Sequence, residues 1–464
     1  MREYNLTVDD YANTHGVNID DTQEQNPLIA ERHTAVEVTE SVNVKKVEPV
    51  KKQRLISLDV FRGITIWTMM LVNHADGGWH GVTIADFVMP LFLFIVGASV
   101  SLSMVKSVER QTETKTSLFK KISIRTIKLF ILGILLQGGD FPNFDLQKVR
   151  PMGVLQRIAI VYFTVSICMI FIPRVSSSKI DNWIAKSNFK AKAFLYATIG
   201  AGGIFDVFIR YIGTWLVCLV TIVFTLIITF AVPVPDCGRG QLTTRCNVAG
   251  YLDELIISPP HMFGGATCKQ ADPPCINFEP EGILSTIAAL TSGFIGLYFG
   301  HTLNRYPSHM KRLLHWLVLG LFMLVVSLIL HFTVYPFNKN LYTYSFVLLM
   351  GGSSALLLVL CYSIVDVPKS KFPKYLSMPF IVLGMNAIAI YVIDELLPIV
   401  FGYRQWGGWF YWRDRSNGLV PWVYRTFFTA LPDKWAIFCY ALTDTFIMII
   451  IASVFYRRKL FFKV

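Results

Sequence analysis

Ten apolar runs of about bilayer length constrain this chain more than any other feature. They lie near residues 58–73, 87–105, 122–137, 154–172, 212–232, 283–299, 313–332, 345–365, 380–400 and 435–456. An α-helix needs about 20 mostly apolar residues to cross the hydrocarbon core of a membrane. Charged residues make up 16% of the chain, against about 25% in a typical soluble domain. The pattern therefore predicts an all-α polytopic membrane protein with about ten transmembrane helices.

Lysine and arginine are distributed unevenly among the connections between these runs. If the N-terminus is cytosolic, the cytosolic segments hold 30 of the 43 bases, the opposite loops hold 11, and Arg62 and Arg157 lie within spans. An excess of Lys and Arg marks the cytosolic side, so both termini are predicted to be cytosolic. The net charge of +12 then reflects topology in a lipid bilayer. No basic stripe with interleaved aromatics lies outside the runs, and nucleic acid is not predicted as a partner.

Residues 1–53 form a polar segment with ten acids and six bases. They lack the basic n-region followed by an apolar stretch that marks a cleavable signal peptide. Their composition predicts a flexible acidic cytosolic tail, which precedes a membrane domain at 54–464. Within the tail, Glu24-Gln25-Asn26-Pro27-Leu28-Ile29 fits an acidic dileucine signal. Recognition by a sorting adaptor and a chance match have about equal weight for so short a pattern.

Cysteines divide into two groups. Four lie in apolar runs, where Cys acts as a small hydrophobe, and four lie in the predicted lumenal loop 233–282: Cys237, Cys246, Cys268 and Cys275. The non-cytosolic compartment permits disulfides, and three pairings are open. Zinc is the alternative, but the loop contains no CxxC pair and only His261 nearby. We therefore expect two structural disulfides and no metal.

The first predicted non-cytosolic loop, residues 73–86, is the densest polar cluster and contains no Lys or Arg. It holds Asn73, His74, Asp76, His80 and Asp86. Asp86 precedes an apolar run and serves equally well as a helix cap, and histidines at a membrane surface are often only polar interface residues. Together they supply a neutral base and a carboxylate able to orient it.

Charged residues within the apolar runs are the second group of candidates, because such charges are costly unless they are paired or face water. Asp59 and Arg62 lie three residues apart on one helical face, so mutual neutralisation is the favoured interpretation. Arg157 has no acid nearby in the sequence. It needs either a distant partner or an anionic ligand, and the second alternative is favoured slightly.

Six sequence motifs are spread along the chain: Arg54-Leu55-Ile56-Ser57-Leu58-Asp59-Val60-Phe61-Arg62-Gly63, the run from Gly81 to Pro90, Gly153-Val154-Leu155-Gln156-Arg157-Ile158, Phe278-Glu279-Pro280-Glu281-Gly282-Ile283-Leu284, Asn338-Lys339-Asn340-Leu341-Tyr342 and Leu383-Gly384-Met385-Asn386-Ala387. In sequence and in order they resemble the signatures of the heparan-alpha-glucosaminide N-acetyltransferase family, and they are most similar to those of its plant-type members. Their spread from residue 54 towards the C-terminus makes the resemblance more specific than any single motif.

The resemblance implies transmembrane acetylation, with acetyl-CoA used from the cytosol and an amino sugar or related glycan acetylated in the lumen. It places Asn73, Asp86, Arg157, Asn338 and Lys339 at or near the pocket. It also implies a lysosomal or vacuolar membrane and a homodimer. A lumenal His would deprotonate the attacking amine, with polar donors stabilising the thioester oxyanion. Direct transfer and an acetyl-His intermediate both stay open.

The hairpin before Trp79 departs from the family pattern, in which it is longer and carries the catalytic His. Here it is contracted to His74-Ala75-Asp76-Gly77-Gly78-Trp79. His74 is the only His left before Trp79, and we assign it the base role with Asn73 and Asp86 as its catalytic neighbours. The alternatives are that His80 replaces it or that this member lacks the usual activity. A third hypothesis, from another class, is a transporter that binds a polar anion at Arg157.

Overall fold

The computed structural model describes thirteen ranges of the chain, all within the unit Arg54–Val464. They are residues 55–72, 81–109, 113–137, 147, 149–187, 189–200, 202–203, 205–263, 278–368, 370, 372–400, 426–427 and 432–462. The predicted tail, with its dileucine pattern, lies outside the described residues. So do Asn73, His74 and His80.

The described structure is mostly helical with almost no sheet, as predicted. In chain order they are α1 Ile56–Val72, α2 Val88–Glu109, α3 Lys115–Gln137, α4 Val154–Phe171, α5 Ser177–Ala185, α6 Phe189–Thr198, α7 Asp206–Arg210, α8 Ile212–Ala231, α9 Val248–Ile256, α10 Ile283–Arg305, α11 His309–Thr333, α12 Tyr344–Val365, α13 Phe372–Leu376, α14 Met378–Met385, α15 Ala387–Val400 and α16 Asp433–Arg457. Short 3₁₀ turns cover Ile84–Phe87 and Pro259–His261. The strands β1 Pro233–Val234 and β2 Gly238–Arg239 pair antiparallel.

Each of the ten predicted apolar runs coincides with a long helix or with the pair α14 and α15. Seven helices in the described ranges are long and apolar enough to cross a membrane: α2, α4, α8, α10, α11, α12 and α16. The pair α14 and α15, bent by 79° at the break between them, adds an eighth span if it counts as one. Helix α1 has only 17 residues, and α3 carries five bases. A polytopic membrane architecture is therefore confirmed, whereas ten spans and two cytosolic termini stay predictions.

Helix α10 forms the centre of the bundle. In its apolar window 89% of the residues are buried, against 17% for α8 and 22% for α11. Close backbone approach makes this possible: a Cβ on Gly296 of α10 would lie 2.0 Å from the carbonyl oxygen of Phe94 on α2. Small residues at such contacts let membrane helices pack tightly, since burial of apolar surface does not drive their association in lipid. Helices α8 and α11 are peripheral.

The loop between α8 and α10 contains one confirmed disulfide, between Cys237 and Cys246. It links the turn between β1 and β2 to the segment just before α9. Cys268 and Cys275 lie outside the described residues, so their pairing stays a prediction. The four cysteines of the apolar runs are free.

Candidate functional site

Arg157 lies in the first turn of α4 and is buried, with 2% of its surface exposed. Its Nη2 donates to the carbonyl oxygen of Pro280 at 2.8 Å and to Ser285 Oγ at 2.5 Å, and its Nε donates to Thr286 Oγ1 at 3.2 Å. The guanidinium carbon lies 5.3 Å from the centre of the Tyr342 ring. Buried charges need this degree of hydrogen bonding to offset their desolvation. The direct partners of Arg157 are thus neutral oxygens at the start of α10.

A second buried cation, Arg150, binds the two glutamates that precede α10. Its Nε donates to Glu279 Oε2 at 2.9 Å, and its Nη2 contacts Glu279 Oε1 and lies 2.6 Å from Glu281 Oε2. The Glu279 side chain is fully buried, and 12% of the Arg150 side chain is exposed. Bidentate ion pairs between arginine and a carboxylate are strong and have a fixed geometry. They fasten the segment before α10 to the segment before α4.

Glu281 lies near a third cation, Lys339, in addition to Arg150 and Arg157. Burial raises the pKa of Glu281, but the charges of Arg150, Arg157 and Lys339 outweigh burial and lower this pKa below its ordinary value. An opposite charge nearby favours the ionised form of a carboxyl group. Glu281 therefore stays ionised and lies at the centre of a cluster of three cations.

Asp86 caps a 3₁₀ turn and pairs with Lys339, whereas its predicted role in orienting a histidine base stays a prediction, because His74 and His80 lie outside the described residues. Its Oδ2 accepts hydrogen bonds from the backbone N–H of Thr83 at 2.7 Å and from Thr83 Oγ1 at 3.0 Å, which caps the 3₁₀ turn. Its Oδ1 lies 3.0 Å from Lys339 Nζ. The Asp86 side chain is 6% exposed, and that of Lys339 is 43% exposed. The ion pair thus places a partly accessible ammonium group beside the start of α2.

Asn338 lies next to this ion pair and is fully buried. Its Oδ1 accepts a hydrogen bond from the Leu341 backbone N–H at 2.9 Å. Its Nδ2 has no hydrogen-bond acceptor among the described residues. An unsatisfied buried donor costs about 1–3 kcal/mol, so each such group needs an explanation. A carbonyl oxygen of a bound substrate would satisfy the Asn338 amide.

The described end of the polar loop 73–86 is tied to the loop that carries Asn338. The Gly81 backbone N–H donates to the carbonyl oxygen of Phe337 at 3.2 Å. The Phe337 N–H in turn donates to His331 Nδ1 at 2.9 Å, and the two rings stack 4.0 Å apart. Gly81 has φ +103°, a conformation that glycine adopts without strain. The polar loop and the loop that carries Asn338 are therefore adjacent at Gly81.

Asp253 on α9 is a further buried carboxyl group near the start of α10. It is 1% exposed, and its Oδ1 accepts the Ile283 backbone N–H at 2.9 Å. Burial raises the pKa of Asp253 to about 7, although the hydrogen bond from Ile283 opposes the rise. Desolvation disfavours the charged form of a carboxyl group. Asp253 thus takes up a proton in the folded protein at a pH where it would be ionised in the unfolded chain.

We expect Asp253→Asn to flatten the dependence of stability on pH between about 4 and 7. The folded state binds the Asp253 proton more tightly, so the stability of the wild-type protein falls as the pH rises through this window. The amide oxygen of the introduced asparagine keeps the acceptor for Ile283 without ionising. Thermal unfolding midpoints from pH 4 to 8 measure the effect, with exposed Asp236→Asn in the same loop as the control. Parallel curves for the wild-type protein and Asp253→Asn would contradict this assignment.

The structure brings four of the predicted site residues to one end of the bundle. Asp86 and Lys339 pair directly, Asn338 adjoins Lys339, and Arg157 shares the neighbouring Glu281 with Lys339. Arg150 and Glu281 were not predicted as site residues. Glu281 belongs to a recognised motif, but nothing local in the sequence shows that it pairs with Arg150, 131 positions away.

The remaining predicted charges lie elsewhere. Arg62 Nη1 donates to Asp59 Oδ1 at 3.3 Å, and Arg62 also contacts Ser99. The i,i+3 pairing expected from their spacing is therefore present. Among the described residues, no group of three or more His, Cys, Asp or Glu is arranged to hold a metal ion.

Comparison with known proteins places these motifs in a family context. No protein-family model matches the chain. Two curated relatives do match: heparan-alpha-glucosaminide N-acetyltransferase of Mus musculus, 29% identical over 446 residues, and that of Homo sapiens, 28% identical over 442 residues. Each match covers 89% of this chain and 60% of the relative. The chain thus spans about 60% of the length of these relatives, and the resemblance seen in the motifs is confirmed.

Proposed function

Because both relatives support membership of the heparan-alpha-glucosaminide N-acetyltransferase family, we propose that this chain is a membrane acetyltransferase. It takes an acetyl group from acetyl-CoA on the cytosolic side and transfers it to an amino sugar, or a related glycan acceptor, on the lumenal side. Its membrane is lysosomal or vacuolar. The observation that carries the proposal is the meeting of Asp86, Asn338, Lys339 and Arg157 at one end of the bundle, next to the end of the polar loop.

In this mechanism the general base and the hydrogen-bond donors that stabilise the oxyanion come from separate segments of the chain. His74 removes a proton from the acceptor amine as its nitrogen attacks the thioester carbonyl carbon. The Asn338 amide and the Lys339 ammonium stabilise the oxyanion that forms on the carbonyl oxygen. The C–S bond then breaks, and CoA leaves as the thiolate. His80 lies in the same loop and contributes to acceptor binding.

Asp86 and Arg157 act by positioning in this mechanism. Asp86 holds the Lys339 ammonium 3.0 Å from its carboxylate while capping the turn that follows the polar loop. Arg157 fastens the start of α10 through Pro280 and Ser285. Together with Arg150 it keeps Glu281 ionised near Lys339. These contacts hold the Lys339 ammonium group in a fixed position, where it can meet the negative charge that develops on the thioester oxygen.

Purified chain in proteoliposomes, supplied with acetyl-CoA and glucosamine, tests this function. We expect release of free CoA thiol together with N-acetylglucosamine, and a loss of about 10²-fold in Lys339→Met, the scale of removing one oxyanion donor. Exposed Lys311→Met is the matched control and is expected to keep full activity. Passage of a labelled anion with acetyl-CoA left intact would instead identify a transporter. Tight acetyl-CoA binding without product would identify an inactive homologue.

A further inference from the structure

A groove on the lipid-facing side of α10 lies apart from the candidate site. Its walls are the peripheral helices α8 and α11, and its floor includes Ile295, Tyr298 and Phe299 of α10. The cavity volume is about 410 Å³, within the range of about 300–1,000 Å³ that holds one small ligand. The groove is thus a formed cavity between membrane-spanning helices.

The lining of the groove is chemically suited to hydrocarbon. Leucines from both walls face it, including Leu216, Leu219 and Leu319. The hydroxyl group of Tyr298 is already engaged, 2.6 Å from His315 Nε2. Leu216 and Leu219 are more than half exposed, so the groove opens sideways towards the bilayer. A polar substrate would lose its hydrogen bonds in such a site.

Basic residues lie in the segments next to one end of the groove. Phe208 and Ile212 line this end, where α7 and α8 meet the end of α10 and the start of α11. The adjoining segments 205–212 and 302–316 contain four Lys and Arg residues and one acid, Asp206, which pairs with both Arg210 and Arg305. Among the four, Lys311 is exposed. Basic side chains beside an apolar groove complement a ligand with an anionic head and a hydrocarbon tail.

We propose that the groove binds one anionic glycerophospholipid, with an acyl chain between α8 and α11 and the phosphate at the basic end. The bound lipid joins two peripheral helices to the central one. This site is independent of acetyl transfer.

Native mass spectrometry of the full chain in detergent, titrated with phosphatidylserine or phosphatidylcholine, tests the site. We expect one phosphatidylserine retained per chain, bound at least tenfold more tightly than phosphatidylcholine. Leu219→Trp fills the groove and is expected to weaken retention at least tenfold. Val220→Trp, on the neighbouring exposed position outside the groove, leaves it unchanged. Lys311→Glu removes the preference for phosphatidylserine.

Tryptophan fluorescence supplies a second measurement that needs no groove-filling variant. Trp215 lines the groove, whereas Trp316 is fully buried. Phosphatidylserine with brominated acyl chains, added at one per chain, is expected to quench emission in the wild-type protein and in Trp316→Phe, but much less in Trp215→Phe. Equal quenching in all three, no retained lipid, equal retention of both lipids, or a complex of two chains in place of a lipid adduct would overturn the proposal.

Discussion

Replacing Glu279 with alanine is expected to lower the free energy of unfolding by about 3–5 kcal/mol, the usual cost of removing one partner from a buried ion pair. The substitution removes the bidentate acceptor of Arg150, which is only 12% exposed, and leaves Glu281 as its carboxylate partner. It also removes the acceptor for the Phe263 backbone N–H, which donates to Glu279 Oε2 at 3.0 Å. Unfolding in detergent, monitored by intrinsic tryptophan fluorescence, measures the change in the free energy of unfolding.

Glu113→Ala is the matched control for this experiment. Glu113 Oε2 lies 2.7 Å from Lys121 Nζ, but the two side chains are 33% and 63% exposed. Exposed ion pairs contribute about 0–1 kcal/mol, so a small loss is expected. Equal losses for Glu279→Ala and Glu113→Ala would contradict a buried anchor before α10.

His74→Ala is expected to reduce acetyl transfer by about 10²–10⁴-fold, the range for a general acid–base group, while the protein stays folded. The reason is that the acceptor amine is protonated near neutral pH and must lose a proton to attack the thioester. The measurement is the rate of acetyl-CoA-dependent transfer in membranes. The limb of the pH–rate profile that reports the base is expected to disappear in the variant.

His80→Ala is the control from the same loop and is expected to change the acceptor KM more than kcat. The opposite result, with full activity in His74→Ala and loss in His80→Ala, would transfer the base role to His80. Full activity in both variants would remove the polar loop from proton transfer. The contracted hairpin makes this comparison informative, because only two histidines lie between α1 and the turn at Ile84–Phe87.

The sequence was more informative about disulfide formation in the loop 233–282 than about the partners of the buried charges. The Cys237–Cys246 bond joins residues only 9 positions apart, in a loop that the charge count predicts to be non-cytosolic. Arg157 is the opposite case: its acceptor Thr286 lies 129 positions away. Periodicity and local spacing carry no information about such a pairing. The sequence therefore predicted that Arg157 needs a distant partner or a ligand without identifying either.

By itself the sequence determined the membrane architecture, because the length of each apolar run follows directly from the thickness of the bilayer. It also showed, through motifs spread over the chain, the resemblance to the heparan-alpha-glucosaminide N-acetyltransferases that the two relatives confirm. Only the tertiary structure decided which polar groups meet: Asp86 with Lys339, Arg150 with Glu279 and Glu281, and Arg157 with the start of α10. The physical reason is that these contacts depend on how helices pack around α10, and close backbone packing at glycines such as Gly296 is invisible in hydrophobic periodicity.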